Sequence, residues 1–262
     1  MAKFNLHTHS FRCHHARGKD EEYVLRAIEN GYQTIGFSDH APYIFPNGYY
    51  STFRIDLDMA QDYADSVRAL GEKYKDKIRV LLGFEVEYYP QLIDRELEYL
   101  KGFGYDYLIC GQHHIDNEYE PWQSYCGNTF TDETMLDKYV KQVIAAAQSG
   151  EFAYIAHPDL PNFGGSQDLL LARLTEMLLA LKEIDIPIEY NFLGYTDKRN
   201  YPRDDFWRMA AAIGNRTVIG LDAHNPKVYA DTKHLEQMKK HIATLGITPI
   251  SDVDEILKRA AR

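Results

Sequence analysis

Short apolar runs alternate with longer amphipathic stretches along this chain, and the alternation repeats seven times. The runs are FNLHTHS (4–10), TIGFSDH (34–40), RVLLGFEVE (79–87), DYLICGQHH (106–114), FAYIAHPD (152–159), IPIEYNF (186–192) and TVIGLDAH (217–224). Apolar runs without polar alternation suit strands covered on both faces. The spacing between them predicts helices over 20–30, 57–75, 91–101, 132–149, 167–184, 204–213, 231–243 and 251–261. In the second, Leu57, Ala60, Tyr63, Ala64, Val67, Leu70 and Tyr74 recur at helical period, and Gly31 marks the stop of the first. Strand then helix, joined by right-handed crossovers, closes or nearly closes a barrel. Seven units is one short of the familiar eight. The two longest stretches outside this pattern, 41–56 and 115–131, are rich in aromatic residues and follow polar run endings. Loops in that position shape substrate pockets.

Six of the seven runs carry His, Asp or Glu at or next to their ends. Chemistry in such barrels sits at the carboxyl ends of the strands, so these groups converge. Of eleven histidines, nine lie at or just past these endings. Imidazole and carboxylate gathered in this way make a multinuclear metal site. His7 and His9 form an HxH pair whose members face one side of an extended strand. His14 and His15 are adjacent, so one of the two faces a given metal; the same holds for His113 and His114. Ser38-Asp39-His40 closes the second run. Glu85 is the choice for a carboxylate bridging two cations, and Glu87 is assigned a supporting or substrate-facing place. His157 sits before Pro158, and Asp222 and His224 repeat the same-face spacing of HxH. His234 and His241, on the last but one predicted helix, carry no metal signal and serve as internal controls.

Composition narrows the picture. The 262 residues suit one barrel-like domain, and no Pro/Gly/Ser-rich linker divides them, so 1–262 is read as a single domain. A formal charge of −10 disfavours nucleic acid as partner, because phosphate backbones are held by surplus Lys and Arg. No apolar run approaches the roughly 20 residues of a membrane span, and no signal-peptide pattern opens the chain. Three cysteines, Cys13, Cys110 and Cys126, form no CxxC pair, which points to a reduced, cytoplasmic protein. Cys13 is read as packing near the site in preference to a soft ligand.

The motifs HTHS (7–10), CHHARG (13–18), SDH (38–40), GFE (83–85), GQHH (111–114), AHPD (156–159) and LDAH (221–224), in this order, resemble the polymerase and histidinol phosphatase (PHP) superfamily. Within it the chain is most similar to the monofunctional histidinol-phosphate phosphatases. The resemblance implies a distorted (β/α)7 barrel with the metal site at the carboxyl ends of the strands. It implies three metal ions (Zn, Fe or Mn) held by His7, His9, His15, His40, Glu85, His113, His157, Asp222 and His224. One departure is visible: Asn5 stands where the family often has Asp, with an effect expected only on local hydrogen bonding.

The reaction so implied is hydrolysis of a phosphate monoester, L-histidinol phosphate, to L-histidinol and phosphate, a step of histidine biosynthesis, by metal-activated hydroxide. Glu85, Asp222, His224 and Arg199 are the expected catalytic residues. Arg17 and Arg199 are candidates for the phosphate because the guanidinium fork pairs two oxygens, and the resemblance favours Arg199. Asp159, Glu118 and Tyr119 are candidates for the cationic end of the substrate. A phosphatase of another small ester is the alternative. An amidohydrolase-type C–N hydrolase also opens with HxH, but on eight strands and with a bridging Lys or Glu after the fourth.

Overall fold

The computed structural model describes residues 3–120 and 125–260. Part of the predicted 115–131 loop and the last residue of the predicted 251–261 helix therefore lie outside the described residues. The strands are β1 (Phe4–Asn5), β2 (Thr34–His40), β3 (Arg79–Val86), β4 (Tyr107–Gly111), β5 (Tyr154–Ala156), β6 (Ile188–Asn191) and β7 (Thr217–Gly220). They pair in chain order, every neighbour parallel. The helices are α1 (Asp20–Glu29), α2 (Ala60–Tyr74), α3 (Ile93–Lys101), α4 (Glu133–Ser149), α5 (Gln167–Ile184), α6 (Phe192–Asp197), α7 (Asp204–Ile213), α8 (Thr232–Thr244) and α9 (Val253–Ala260). This is the distorted (β/α)7 barrel that the run pattern and the resemblance implied.

With seven strands the ring closes at one end only. Thr8 bridges Ala223 in parallel, with His9 N donating to Ala223 O (3.0 Å) and Ala223 N to His7 O (3.1 Å). Below that point the side chain of Asn5 takes over the pairing. Its Oδ1 accepts from Leu221 N at 2.8 Å, and its Nδ2 lies 3.0 Å from His7 O and 2.9 Å from Thr8 Oγ1. An amide both donates and accepts, whereas an ionised Asp only accepts. Asn5 thus stitches the β1–β7 seam, a larger effect than the local one expected. The opposite end is plugged by α9, whose Val253 and Ile256 pack with Leu6, Leu81, Tyr107, Ile109 and Val218.

The strands are short, and this corrects the geometry assumed from sequence. β1 spans two residues, β4 ends at Gly111 and β7 at Gly220. His7, His9, His113, His157, Asp222 and His224 therefore stand in the turns just past the sheet. Two of them hold left-handed backbone: His157 (φ 32°) and Asp222 (φ 50°). Such conformations in non-glycine residues carry strain that the surrounding structure must hold in place. The stripe of α2 is buried from Ala60 to Leu70, but Leu57 is 46% exposed in a 3-10 turn that precedes the helix. One helix was not anticipated: the sixth run stops at Asn191, whose side chain caps α6 by accepting from Gly194 N (2.8 Å).

Candidate metal centre

Glu85 rises from β3 into the mouth of the barrel, only 1% exposed, and five histidines surround it. Its Oε1 lies 3.0 Å from His157 Nε2, 3.5 Å from His7 Nε2 and 3.8 Å from His113 Nε2. Its Oε2 lies 3.0 Å from His40 Nδ1 and 3.6 Å from His9 Nε2. Room for it comes from the next strand: a side chain at Gly111 would overlap the Glu85 carboxylate. Asp222 Oδ1 is 3.1 Å from His9 Nε2 and 3.6 Å from His7 Nε2. His224 stacks on His9 (4.0 Å between ring centres), and its Nε2 is 2.9 Å from His15 Nε2.

Three further carboxylates stand behind the histidines and aim them. Glu189 Oε1 accepts from His7 Nδ1 (2.7 Å), Asp39 Oδ1 from His9 Nδ1 (3.2 Å) and Glu87 Oε1 from His113 Nδ1 (3.2 Å). Each such bond fixes the ring so that Nε2 points to the centre and makes it a better donor to a cation. Glu189 is fully buried and, like Glu85, is accommodated by a glycine, Gly220, on the following strand. The sequence reading gave Glu189 and Asp39 no role. A carboxylate inside an apolar run needs a partner in the core, and that was the signal available in IPIEYNF.

The donor set fits metal ions. His7 Nε2, His9 Nε2, His40 Nδ1 and Glu85 Oε2 are buried and make no well-angled hydrogen bond. Buried polar atoms are almost always satisfied, and these four converge. The ligand atoms of His9, His40 and His224 lie within 4.8 Å of one another, as do those of His7, His157 and Asp222, of His7, His9 and Glu85, and of Cys13, His15 and His224. Without cations, protons balance the charge. Burial opposes a charged His7, but Glu189, Asp222 and Glu85 outweigh it and raise its pKa to about 10. Burial likewise opposes ionised Glu85 and Asp222, yet the surrounding histidines hold both well below the usual carboxylate range. His15, desolvated and beside His224 and His9, falls to about 4.

The structure separates the adjacent pairs. His15 joins the cluster, while His14 turns away on left-handed backbone (φ 68°) toward Tyr50 and Asp56. His113 faces Glu85, while His114 stacks on Phe53 (5.6 Å) in the cavity wall. Cys13 is buried and donates to Ser10 O (3.1 Å), and its Sγ is 4.0 Å from His15 Nε2. His234 and His241 pair with Asp231 and Asp204, outside the cluster.

A cavity of about 520 Å³ opens above the cluster. Arg199 lines it, with Nη1 donating to Tyr201 Oη (3.0 Å). Arg17 does not; its side chain is exposed, and it serves through its backbone N, which donates to His224 O (2.9 Å). The three candidates for the cationic end are also outside the lining. Asp159 is occupied by Trp207 Nε1 (2.9 Å) and Arg203 N (2.7 Å), Glu118 by Arg54, and the Tyr119 ring packs on Phe45. Arg54, unremarked in the sequence reading, is 2% exposed and joins Glu118 (Nε to Oε2, 2.9 Å) to Glu87 (Nη2 to Oε1, 2.7 Å). It ties the 41–56 loop and the start of the 115–131 loop to the carboxylate that aims His113. Among the described residues no helix is long and apolar enough to cross a membrane.

A histidine- and carboxylate-lined mouth on a seven-stranded parallel barrel defines a class of metal-dependent hydrolase fold, and the family comparison agrees: the chain belongs to the PHP domain family, which matches residues 5–192. It is 29% identical over 238 residues to a probable histidinol-phosphatase of Deinococcus radiodurans, covering 84% of this chain and 85% of that one. It is 23% identical to a probable histidinol-phosphatase of Schizosaccharomyces pombe over 95% of this chain and 89% of that one. Its fold superposes with a TM-score of 0.72 on the histidinol phosphate phosphatase of Lactococcus lactis, solved with zinc, L-histidinol and phosphate, at 21% identity and 95% coverage of both chains.

Proposed function

We propose that this chain is a metal-dependent phosphomonoesterase that hydrolyses L-histidinol phosphate to L-histidinol and phosphate, and that residues 1–262 form one domain of this kind. The observation that carries the reading is the convergence of Glu85 with eight further candidate ligands beneath a cavity that Arg199 lines. The relatives named histidinol-phosphatase support the choice of ester. His7, His9, His15, His40, Glu85, His113, His157, Asp222 and His224 are the residues that would hold up to three ions, with Glu85 shared between two. Bound zinc, iron or manganese would supply an activated water and offset the negative charge of the phosphoryl group.

The chain's own groups do the rest. Arg199 presents a planar fork to two phosphate oxygens, and Tyr201 holds that fork through the 3.0 Å bond to Nη1. Asn191 Nδ2 lies 3.1 Å from Asp222 Oδ2 and keeps Oδ1 turned to the centre. The buried carboxylates behind His7, His9 and His113 keep these rings fixed, so little reorganisation accompanies the reaction. A C–N hydrolase is the weaker reading, because the central carboxylate stands on β3 and a cationic fork faces the ligands.

The test is a screen of phosphate esters with purified protein of known metal content. Release of phosphate from L-histidinol phosphate by protein carrying more than about two metal equivalents is the expected result. One equivalent or fewer in fully active protein would remove the trinuclear assignment. Hydrolysis of other esters alone would remove the substrate.

A further inference from the structure

The cavity carries an acid where a phosphate site has no use for one. Asp197 and Leu193 both line it, one helical turn apart on the same face of α6. After Asp197 the backbone turns left-handed at Lys198 (φ 53°), and Arg199 N bonds back to Gly194 O (3.0 Å). That turn sets the Arg199 guanidinium beside the Asp197 carboxylate. Their contact is long, 3.4 Å from Nη2 to Oδ2, whereas the bond that holds Arg199 runs to Tyr201. Among the described residues Asp197 has no other ion pair, and its side chain is half-exposed toward the opening. A carboxylate facing a bound dianion weakens that binding by like-charge repulsion unless the ligand brings a cation to it.

From this pairing we infer that Asp197 is a specificity-determining residue: it receives the ammonium of a phosphate ester whose amine stands beside the ester carbon. The inference rests on the phosphatase reading and deepens it. In such an ester the amine sits on the carbon next to the ester carbon, so ammonium and phosphate lie side by side. Arg199 and Asp197 present the matching donor and acceptor side by side. Arg199 takes the phosphate oxygens; Asp197 accepts from the ammonium and exchanges its long contact with Arg199 for a charge-assisted hydrogen bond. L-Histidinol phosphate has this arrangement; sugar phosphates and simple alkyl phosphates do not. Phe53 and His114 line the same cavity and stack with an interplanar angle of 24°, an aromatic surface within it.

The experiment compares two esters with the metal-loaded enzyme: L-histidinol phosphate and the same molecule without its amine. The parent is expected to prefer the amine by about tenfold or more in kcat/KM, the size of one charge-assisted hydrogen bond at a partly solvated site. In Asp197→Asn this ratio collapses toward one, mainly through a higher KM for the aminated ester, while metal content is unchanged. A parent that cleaves both esters equally well overturns the inference and leaves the phosphatase reading intact. So does an Asp197→Asn variant that slows both esters by the same factor, because Asp197 would then act only by holding Arg199. A metal-loaded parent that cleaves neither ester overturns the phosphatase reading, and the inference with it.

Discussion

At the scale of single residues, the site is an arrangement of carboxylates in two layers, and the layers make different predictions. Glu85 touches the donor atoms of His7, His9, His40, His113 and His157. Glu85→Gln keeps its shape but removes a charge and the capacity to be shared between cations. Activity falls by about a hundredfold or more and metal content drops with it. Glu189 touches one ring, through Nδ1. Glu189→Gln keeps a hydrogen-bonding group there but weakens the hold on His7, so metal affinity in a chelator competition falls by about 10- to 100-fold. An unchanged affinity in Glu189→Gln would show that the ring is held by packing alone. The inner layer was legible in the sequence because each member ends an apolar run, where burial gives a charged or imidazole group little other use. Glu189 was not, because in IPIEYNF it reads as one residue inside a strand, and only the neighbouring glycine on β7 reveals the space made for it. Arg17 and Arg199 looked alike in sequence, both in active-face loops; the short helix α6 brings one to the cavity, and nothing brings the other.

At the scale of elements, the seven strand–helix units were legible, and most helix ends fell within a residue or two of those expected. The strand ends were not. A run such as TVIGLDAH reads as one strand, but its ladder with β6 stops at Gly220, and the chain then turns Asp222 into the mouth. Apolar content marks what is buried, and backbone direction past the last ladder bond is set by tertiary contacts. The loops show the same limit. Their aromatic residues suggested a pocket wall, and Phe53 and Tyr125 do form one, but the group that anchors the loops is a charged residue. Arg54 is buried among Tyr43, Phe45 and Phe53 and neutralises Glu87 and Glu118 together. Arg54→Met fills the space and leaves two buried carboxylates without their cation. Breaking a buried pair from one side costs about 3–5 kcal/mol, to be read by urea denaturation. The loss of Glu87's anchor also loosens His113, so the variant binds less metal at equal total ligand count. A destabilisation below about 1 kcal/mol would mean that the loops are tied down by their aromatic contacts.

At the scale of the whole molecule, the metal centre couples stability to pH, and removing the metal changes the form of that coupling. In the metal-free protein His7 titrates at about 10 against 6.5 when unfolded, and His9 and His113 shift the same way. A raised histidine contributes stability that is complete below pH 6.5 and is lost as pH rises through the folded value. His15, at about 4, and His40, well below 6.5, shift the other way because burial and neighbouring imidazoles disfavour their charge. Their contribution is complete above 6.5 and is lost as pH falls. Glu85 and Asp222, both depressed, add a further loss at acid pH, below the ordinary carboxylate range. The opposed terms make the cluster's own contribution to stability largest near pH 6.5 in the chelator-stripped protein. Away from the cluster, buried Asp159 and Glu96, raised to about 7 and about 8, favour the acid side, so the alkaline loss is the part that the cluster predicts. On the proposed assignment, bound cations would replace the protons on His7 and His9, so the cluster's alkaline loss would disappear from the metal-loaded protein. Metal uptake must then release protons, and affinity must rise as pH increases from 6.5 toward 10. Thermal melts of both forms across pH, with proton release followed in a weakly buffered metal titration, check the linkage. If the stripped and loaded proteins show parallel profiles above pH 6.5, or if no protons appear on titration, the histidine cluster is not where the metal binds.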